Sequence, residues 1–252
     1  MITTRRLALA LAALVAVLAA GCGEGSDRAG PATAASGDGG LAKVLFLGDS
    51  VAAGEALAVG AALEAGGVGF RSLASDGGGN VVGPFSEKRW ETLPQEIAGA
   101  GATVVVYQLT TYDWGTRAQQ RAAYERLAAT VSEAGATLVL VSGPPIRPDD
   151  FYRPHLAELR AAPAVAREVA RRSRGRVVAL DASAVWGPEY RRTRDGAVDR
   201  STDGVHACPQ GAARFATWLL DELARRFPGF APPAPEAWAN AGWSADARFK
   251  GC

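Results

Sequence analysis

Two short segments of the sequence, each just before a helical pattern, contain residue types that could do chemistry. One contains a serine, and the other contains a histidine with an acid three residues before it. Ser50 ends the segment KVLFLGDS, where an apolar strand-like run gives way to a helical pattern. Asp203 and His206 lie in STDGVHACPQ, just before the last helical pattern. A hydroxyl, an imidazole that accepts its proton and a carboxylate that orients the imidazole are the groups needed for nucleophilic acyl chemistry. We therefore predict a catalytic triad of Ser50, His206 and Asp203.

Each of these residues also has a purely structural interpretation. Serine is a favoured N-cap, so Ser50 could simply begin the first helix, and His206 could be a loop histidine without a partner. The position of Ser50 favours catalysis, because the free amides and positive dipole end of a helix N-terminus stabilise an oxyanion. Gly204 eases the turn through which Asp203 reaches the imidazole and holds its tautomer.

Strand-like and helix-like segments alternate from residue 41 onward. Apolar runs predict five strands, at 43–47, 68–74, 103–109, 137–142 and 177–181. Helical spacing predicts helices at 51–65, 89–98, 117–133, 154–172 and 209–226. Several strands are apolar on both faces, as in a parallel sheet covered by helices on both sides. Right-handed crossovers then predict an α/β fold, a three-layer α/β/α sandwich with a five-stranded parallel sheet and the site at the carboxyl ends of its strands.

The N-terminus carries an export signal. Arg5 and Arg6 precede a short apolar run that ends in LAAGC, which resembles a bacterial lipobox and predicts lipidation at Cys22. We expect residues 1–22 to be a lipoprotein signal peptide and 23–40 a flexible tether, because the latter contain almost no large apolar side chain. The protein is then exported and lipid-anchored in the cell membrane, facing the cell envelope. The alternative is plain secretion with a free or trimmed Cys22.

Two further cysteines remain in a compartment that permits disulfides. The domain proper is expected to span 41–228, followed by a tail, 229–252, that is rich in Pro and Trp and lacks periodicity. We predict that Cys208 and Cys252 form a disulfide that pins this tail, so that Trp238 and Trp243 cover apolar surface. The alternative is two unrelated cysteines, one of them on a frayed terminus.

Composition argues against several other functions. The net charge is +1 and the arginines are scattered, which gives no indication of nucleic-acid binding. The acids of 195–204 do not have calcium-loop spacing, and no Cys/His pairs have zinc spacing. The glycine-rich segments lack the Lys-Ser/Thr of a phosphate loop. We predict no metal and no cofactor, and we expect a monomer whose partners are its substrate and the membrane.

The segments GDSVAAG and DGVH resemble those of the SGNH, or GDSL-type, hydrolase family. The resemblance spans residues 43–227. It implies a flavodoxin-like sandwich and a serine hydrolase acting on esters, with Ser50 as nucleophile, His206 as base and Asp203 as its partner.

The family's second motif supplies a glycine whose amide points into the oxyanion hole. Here that region is SDGGGNVVG, residues 75–83, in which Gly77 aligns best and Gly78 and Gly79 are close competitors. With the amide of Ser50, the amide of Gly77 would bind the oxyanion. The alternative is that three glycines merely make a flexible loop.

The third motif departs from the family pattern Gly-x-Asn-Asp. The segment LTTYDWG has Thr110 in place of the glycine and Tyr112 in place of the asparagine, whereas Asp113 remains. Tyr112, Thr111 or Asn80 could replace the missing amide donor, or the oxyanion hole could consist of backbone amides alone.

We therefore predict an exported carboxylester hydrolase that forms an acyl-enzyme on Ser50 and acts on an ester or an acylated glycan. The first alternative is an O-acyltransferase that passes the same acyl group to a sugar hydroxyl of a cell-envelope glycan. The second, suggested by the altered third motif, is a catalytically silent domain that binds glycan.

Overall fold

The computed structural model describes residues 40–252 and confirms the predicted five-stranded parallel sheet. The strands are β1 (Lys43–Leu47), β2 (Gly69–Ser72), β3 (Val104–Gln108), β4 (Thr137–Val141) and β5 (Val177–Leu180). They pair in parallel in the order β2-β1-β3-β4-β5. Each strand lies within the apolar run that predicts it. The predicted signal peptide, the predicted lipidation site Cys22 and all but the last residue of the predicted tether lie outside the described residues.

Helices connect the strands. They are α1 (Ser50–Ala65), α2 (Ser86–Ala100), α3 (Arg117–Glu133), α4 (Leu156–Arg172), the short α5 (Ser183–Trp186) and α6 (Pro209–Ala224). A small antiparallel hairpin pairs β6 (Thr193–Arg194) with β7 (Ala197–Val198). Between residues 40 and 252, no helix is long and apolar enough to cross a bilayer.

The structure contains three short elements that the sequence does not predict, α5, β6 and β7, because segments of two to four residues are too short to show a periodic pattern. Helix bounds also differ from the prediction. The helix predicted from Pro154 begins at Leu156, since Arg153–His155 forms a 3-10 turn, and the helix predicted at 89–98 extends over Ser86–Ala100.

Alternating side chains of the strands form two separate core layers. Val104 and Val106 of β3 pack on the face covered by α1 and α6, together with Phe215. Val105 and Tyr107 lie in the opposite core layer, which α2, α3 and α4 cover. Both layers are buried, which explains why the strands are apolar on both faces and establishes the three-layer α/β/α sandwich.

The C-terminal tail packs on the face that contains α1. Trp238 is buried in that core layer, and the indole N–H of Trp243 donates to the Trp238 carbonyl at 3.0 Å. The ring of Phe249 reaches Gly54 of α1. Cys252 forms the expected disulfide with Cys208, with the Cα atoms 5.6 Å apart. The tail therefore returns to the loop that precedes α6.

Candidate active site

The N-terminus of α1 leaves the hydroxyl of Ser50 free for another partner. Asp49, not Ser50, is the N-cap, because its Oδ1 accepts hydrogen bonds from the amides of Val51 at 3.1 Å and Ala52 at 3.4 Å. Ser50 is the first residue of the helix, and its Oγ lies 2.9 Å from Nε2 of His206. The structure therefore does not support the interpretation of Ser50 as a simple helix cap.

His206 lies between the serine and the carboxylate of Asp203. Its Nδ1 is 2.8 Å from Oδ2 of Asp203, whose Oδ1 accepts the amides of Val205 at 2.7 Å and His206 at 3.0 Å. Partial burial raises the pKa of Asp203, but hydrogen bonds from His206 and Val205 outweigh it and lower that pKa to about 2. Asp203 is thus a carboxylate that only accepts hydrogen bonds, so Nδ1 donates to it. Nε2 of the neutral imidazole is then free to accept the hydroxyl proton of Ser50.

Asp49 also ties the serine loop to the loop after β3. Its second carboxylate oxygen accepts both the amide and the hydroxyl of Thr111, each at 2.7 Å. Burial raises the pKa of Asp49 in spite of these hydrogen bonds. Because the amide and the hydroxyl of Thr111 both donate to Asp49, neither is free to donate to an oxyanion in this arrangement.

The glycine-rich loop after β2 contacts the serine loop through Gly79. A Cβ atom on Gly79 would lie 2.0 Å from the carbonyl oxygen of Gly48, and φ of Gly79 is 82°, so only glycine fits there. Gly77 also has a positive φ, 68°, but a Cβ on it would meet nothing within 4 Å. Of these two glycines, Gly79 is therefore the one packed directly against the segment that precedes Ser50.

Of the two remaining candidates for the missing donor, Asn80 has both N–H groups engaged, and Tyr112 lies among other aromatic rings. Asn80 is buried, and its Nδ2 donates to the carbonyls of Val82, at 2.7 Å, and Pro84. Both of its N–H groups are therefore used within its own loop. Tyr112 is half-buried, and its ring lies 6.4 Å from that of Tyr152 in a group of aromatic side chains.

Asp113, the residue of the third motif that remains, has a structural role. Its buried carboxylate accepts the phenol of Tyr107 at 2.7 Å, the phenol of Tyr124 at 2.9 Å and the hydroxyl of Thr110 at 2.9 Å. Burial raises the pKa of Asp113 to about 7, against the lowering effect of these donors. Asp113 thus holds the loop after β3 in place, and Thr110 contributes a hydroxyl that the family's glycine lacks.

The sequence analysis missed Arg200, which supports the histidine loop from inside. Its buried guanidinium donates to the carbonyls of Pro145 at 2.8 Å, Val205 at 2.5 Å and His206 at 3.3 Å. Burial raises the pKa of Glu55 in α1 to about 8, and the charge of Arg200 opposes this rise. No sequence signal distinguishes Arg200, because it lies in a polar run, 195–204, that has the composition of a solvated loop.

A cavity of about 460 Å³ opens at the same edge of the sheet. Asp49 and Val51, the two neighbours of Ser50, line it together with Pro144, Pro145 and Ile146 of the loop after β4. In the region from 40 to 252, no group of three or more His, Cys, Asp and Glu side chains is arranged to hold a metal ion.

Comparison by sequence finds no matching family profile and no matching curated protein. Comparison by structure finds a GDSL-like lipase from Bacteroides thetaiotaomicron, with a TM-score of 0.54, 14% identity and coverage of 73% of this chain and 88% of that one. An acetylxylan esterase from Geobacillus stearothermophilus has a TM-score of 0.52 at 15% identity and covers 77% and 97%. A salicylyl-acyltransferase from a tetracycline biosynthetic pathway has a TM-score of 0.50 at 18% identity and covers 73% and 55%.

These similarities show that the chain has the three-layer sandwich fold of SGNH (GDSL-type) hydrolases. The resemblance that the sequence motifs indicate is thereby confirmed at the level of the fold.

Proposed function

We propose that this protein is a serine esterase of the SGNH type. The observation that carries the proposal is the continuous hydrogen-bond chain from the Ser50 hydroxyl through the imidazole of His206 to the carboxylate of Asp203, with distances of 2.9 and 2.8 Å. These three residues come from opposite ends of the domain, and the fold brings them together at the carboxyl edge of the sheet. The esterase and lipase names among the structural neighbours support the same reaction class.

In the proposed reaction, Ser50 Oγ attacks the ester carbonyl while Nε2 of His206 takes the hydroxyl proton. The tetrahedral intermediate collapses, the bond to the alcohol breaks, and His206 returns the proton to the leaving oxygen. An acyl-enzyme on Ser50 remains. Water then attacks this ester with His206 again as base, which releases the carboxylic acid and restores the hydroxyl. Asp203 stabilises the imidazolium in both steps.

Backbone amides are the donors we propose for the oxyanion. The amide of Ser50 lies at the positive end of α1, where helix geometry leaves N–H groups without an intrahelical partner. The glycine loop would supply the second amide, from Gly77 or, as its contact with Gly48 favours, from Gly79. Since Asn80 and Thr111 use their N–H and O–H groups elsewhere, this oxyanion hole would have no side-chain amide.

Hydrolysis is favoured over acyl transfer by the exposure of the triad. The side chains of His206 and Asp203 are 39% and 46% exposed, so water reaches the base freely. A transferase needs an acceptor site that excludes water, and this open triad does not provide one. The triad geometry likewise favours catalysis over a silent glycan-binding domain, since binding alone would not need three residues aligned for proton transfer.

The experiment that tests the proposal is labelling with a fluorophosphonate probe, followed by ester turnover. We expect the wild-type protein to be labelled, and Ser50→Ala to abolish labelling and to lower turnover by several orders of magnitude. Ser183→Ala is the matched control, because Ser183 also begins a helix at this edge but has an exposed side chain. Persistent labelling of the Ser50→Ala protein, or an unlabelled wild type, would overturn the proposal.

We also propose export and membrane anchoring through a lipid on Cys22, which rests on the LAAGC segment alone. Once the signal peptide is cleaved, this lipid is the anchor. Cys22→Ala should therefore move the protein from the membrane fraction to the soluble fraction. A wild-type protein that is soluble and carries no lipid would contradict the proposal.

A further inference from the structure

A group of five aromatic side chains, two of them exposed, lies near the proposed triad. We call Phe85, Tyr112, Trp114, Phe151 and Tyr152 the aromatic platform. Phe85 is 61% exposed and Phe151 is 52% exposed, and no other large apolar side chain of the described region is as exposed. Tyr112 lies between them, with ring centroids at 6.2 Å from Phe85 and 6.1 Å from Phe151. Two exposed phenylalanines on separate loops thus meet around one tyrosine.

The backbone of Phe85, whose ring is exposed, has a strained conformation. Phe85 has φ of 66°, a left-handed conformation that is unfavourable for a residue with a Cβ atom. Its loop is packed against the platform, because a Cβ on Gly83 would lie 2.4 Å from the carbonyl oxygen of Tyr112. Asn80 pins the same loop by donating to the carbonyl of Pro84. Backbone strain and apolar exposure at one residue, in a loop that is held rigid, point to a binding function.

The platform is continuous with the segment that contains Ser50. Tyr112 directly follows Thr111, which donates two hydrogen bonds to Asp49. Tyr152 packs in one buried cluster with Val51 and Val205, the neighbours of Ser50 and His206. The platform therefore adjoins the segments that contain Ser50 and His206.

Polar groups border the platform. Arg153 and Asp150 form an ion pair beside Phe151. The ring of His155 stacks on Trp114 at 3.6 Å and is itself oriented by Glu158, 2.9 Å from its Nδ1. This border offers donors and acceptors at the edge of an apolar surface.

The chemistry of the platform selects an amphipathic ligand. An alkyl chain gains most when it is fully enclosed, and half of it would stay in water on this open surface. A sugar ring has an apolar C–H face and a rim of hydroxyl groups, so it is suited to aromatic rings below and polar side chains around it. We propose that the aromatic platform binds a sugar ring of an acylated oligosaccharide and thereby holds the acyl ester at Ser50. This inference rests on the proposed esterase function and goes further by naming the substrate class.

The test compares Phe85→Leu/Phe151→Leu with the wild type on three kinds of ester: O-acetylated oligosaccharides, para-nitrophenyl acetate and para-nitrophenyl octanoate. Leucine keeps an apolar side chain but removes the ring, so it distinguishes stacking from general apolar contact. On O-acetylated xylohexaose and O-acetylated chitohexaose, we expect kcat/KM for at least one of the two to fall roughly 10-fold in the double variant, mainly through KM. On para-nitrophenyl acetate, which is too small to span both sites, kcat/KM should be unchanged. Phe151→Trp, which retains an aromatic face, should keep the oligosaccharide activity within about 3-fold of the wild type.

Fluorophosphonate labelling of all variants separates the two proposals. If the wild type is not labelled, the esterase function fails. Sugar binding is then measured by calorimetry with the hexasaccharides that lack O-acetyl groups. If the wild type does not bind them, the inference is overturned as well. If labelling is intact but neither oligosaccharide distinguishes the wild type from the double variant, only the inference fails. A loss confined to para-nitrophenyl octanoate would show that the platform binds acyl chains instead, and an equal loss on every ester would show structural damage; either result overturns the inference.

Discussion

The disulfide between Cys208 and Cys252 should be a major source of stability, and Cys252→Ser removes it. The two cysteines are 44 residues apart in sequence. On the chain-entropy model, releasing a loop of this length adds about 4 kcal/mol of conformational freedom to the unfolded state. For a domain of about 200 residues, each kcal/mol corresponds to roughly 2–4 °C in the melting temperature. We therefore expect Cys252→Ser to lower Tm by roughly 8–16 °C in differential scanning calorimetry.

The same substitution should also impair catalysis, because the chain end contacts the loop that contains Asp203 of the proposed triad. The carbonyl of Gly251 accepts the amide of Thr202 and the hydroxyl of Ser201, each at 3.3 Å, directly before Asp203. Without the disulfide, these contacts lose their restraint. We expect kcat to fall more than KM rises, since the affected groups orient the imidazole.

Adding a reducing agent to the Cys252→Ser protein is the control. The reductant should lower Tm of the wild type toward that of the variant and leave the variant unchanged. A difference in Tm below about 2 °C between wild type and variant, or free thiols at both positions in the unreduced wild type, would refute the reasoning.

Three further predictions, which use four substitutions, test the packing around the site. Glu55→Gln removes a carboxyl whose pKa is raised by burial from 4.5 to about 8. Between these pH values the folded wild type keeps a proton that the unfolded chain releases, so its free energy of unfolding should fall by up to about 1.4 kcal/mol for each unit by which the pH rises. Urea titrations of the variant over this pH range should lack that contribution. Gly79→Ala places a methyl group 2.0 Å from the carbonyl oxygen of Gly48 and should destabilise the protein by more than about 2 kcal/mol, whereas Gly77→Ala, where space is open, should cost only about 1 kcal/mol; equal urea midpoints for the two variants would contradict the steric argument. Asp113→Ala leaves two buried phenols without their acceptor and should lower the free energy of unfolding by at least about 2 kcal/mol in the same assay, and a wild-type midpoint would show that these hydrogen bonds do not matter.

The sheet and its helices could be predicted because their patterns are local. Four of the five strands, all but the exposed β2, are mostly apolar runs. The helix α3 has the predicted bounds, Arg117–Glu133, with a Thr116 capping box at its start and Gly135 after its end. The candidate triad was also accessible from sequence, since Ser50 and His206 lie next to recognisable strand, helix and turn signals. A helix forms its hydrogen bonds between residues four apart, and the residues that a strand buries are consecutive in the sequence, so both leave a local pattern.

The assignment of individual roles within the loops required the tertiary structure. The sequence does not reveal that Asp49 caps α1 and so frees Ser50, or that Arg200 turns inward to hold the carbonyls around His206. By sequence, Asn80 and Thr111 are candidate oxyanion donors, but Asn80 donates within its own loop and Thr111 donates to Asp49 of another loop. Hydrogen bonds of this kind join residues as far apart as Asp49 and Thr111, and no local pattern encodes them.

The sequence by itself therefore determined the architecture and the proposed nucleophile and base, because each follows from local patterns along the chain. It indicated the cysteine pair because only Cys208 and Cys252 remain once the predicted lipidation at Cys22 is set aside. Only the tertiary structure decided which buried polar groups satisfy one another and which aromatic rings gather beside Ser50. Phe85 and Phe151 are 66 positions apart in the numbering, and both approach Tyr112 only after the sheet has brought the loops after β2, β3 and β4 to one edge. The physical reason is that a surface assembled from three loops depends on the sheet that positions them, and its residues show no common pattern before the chain folds.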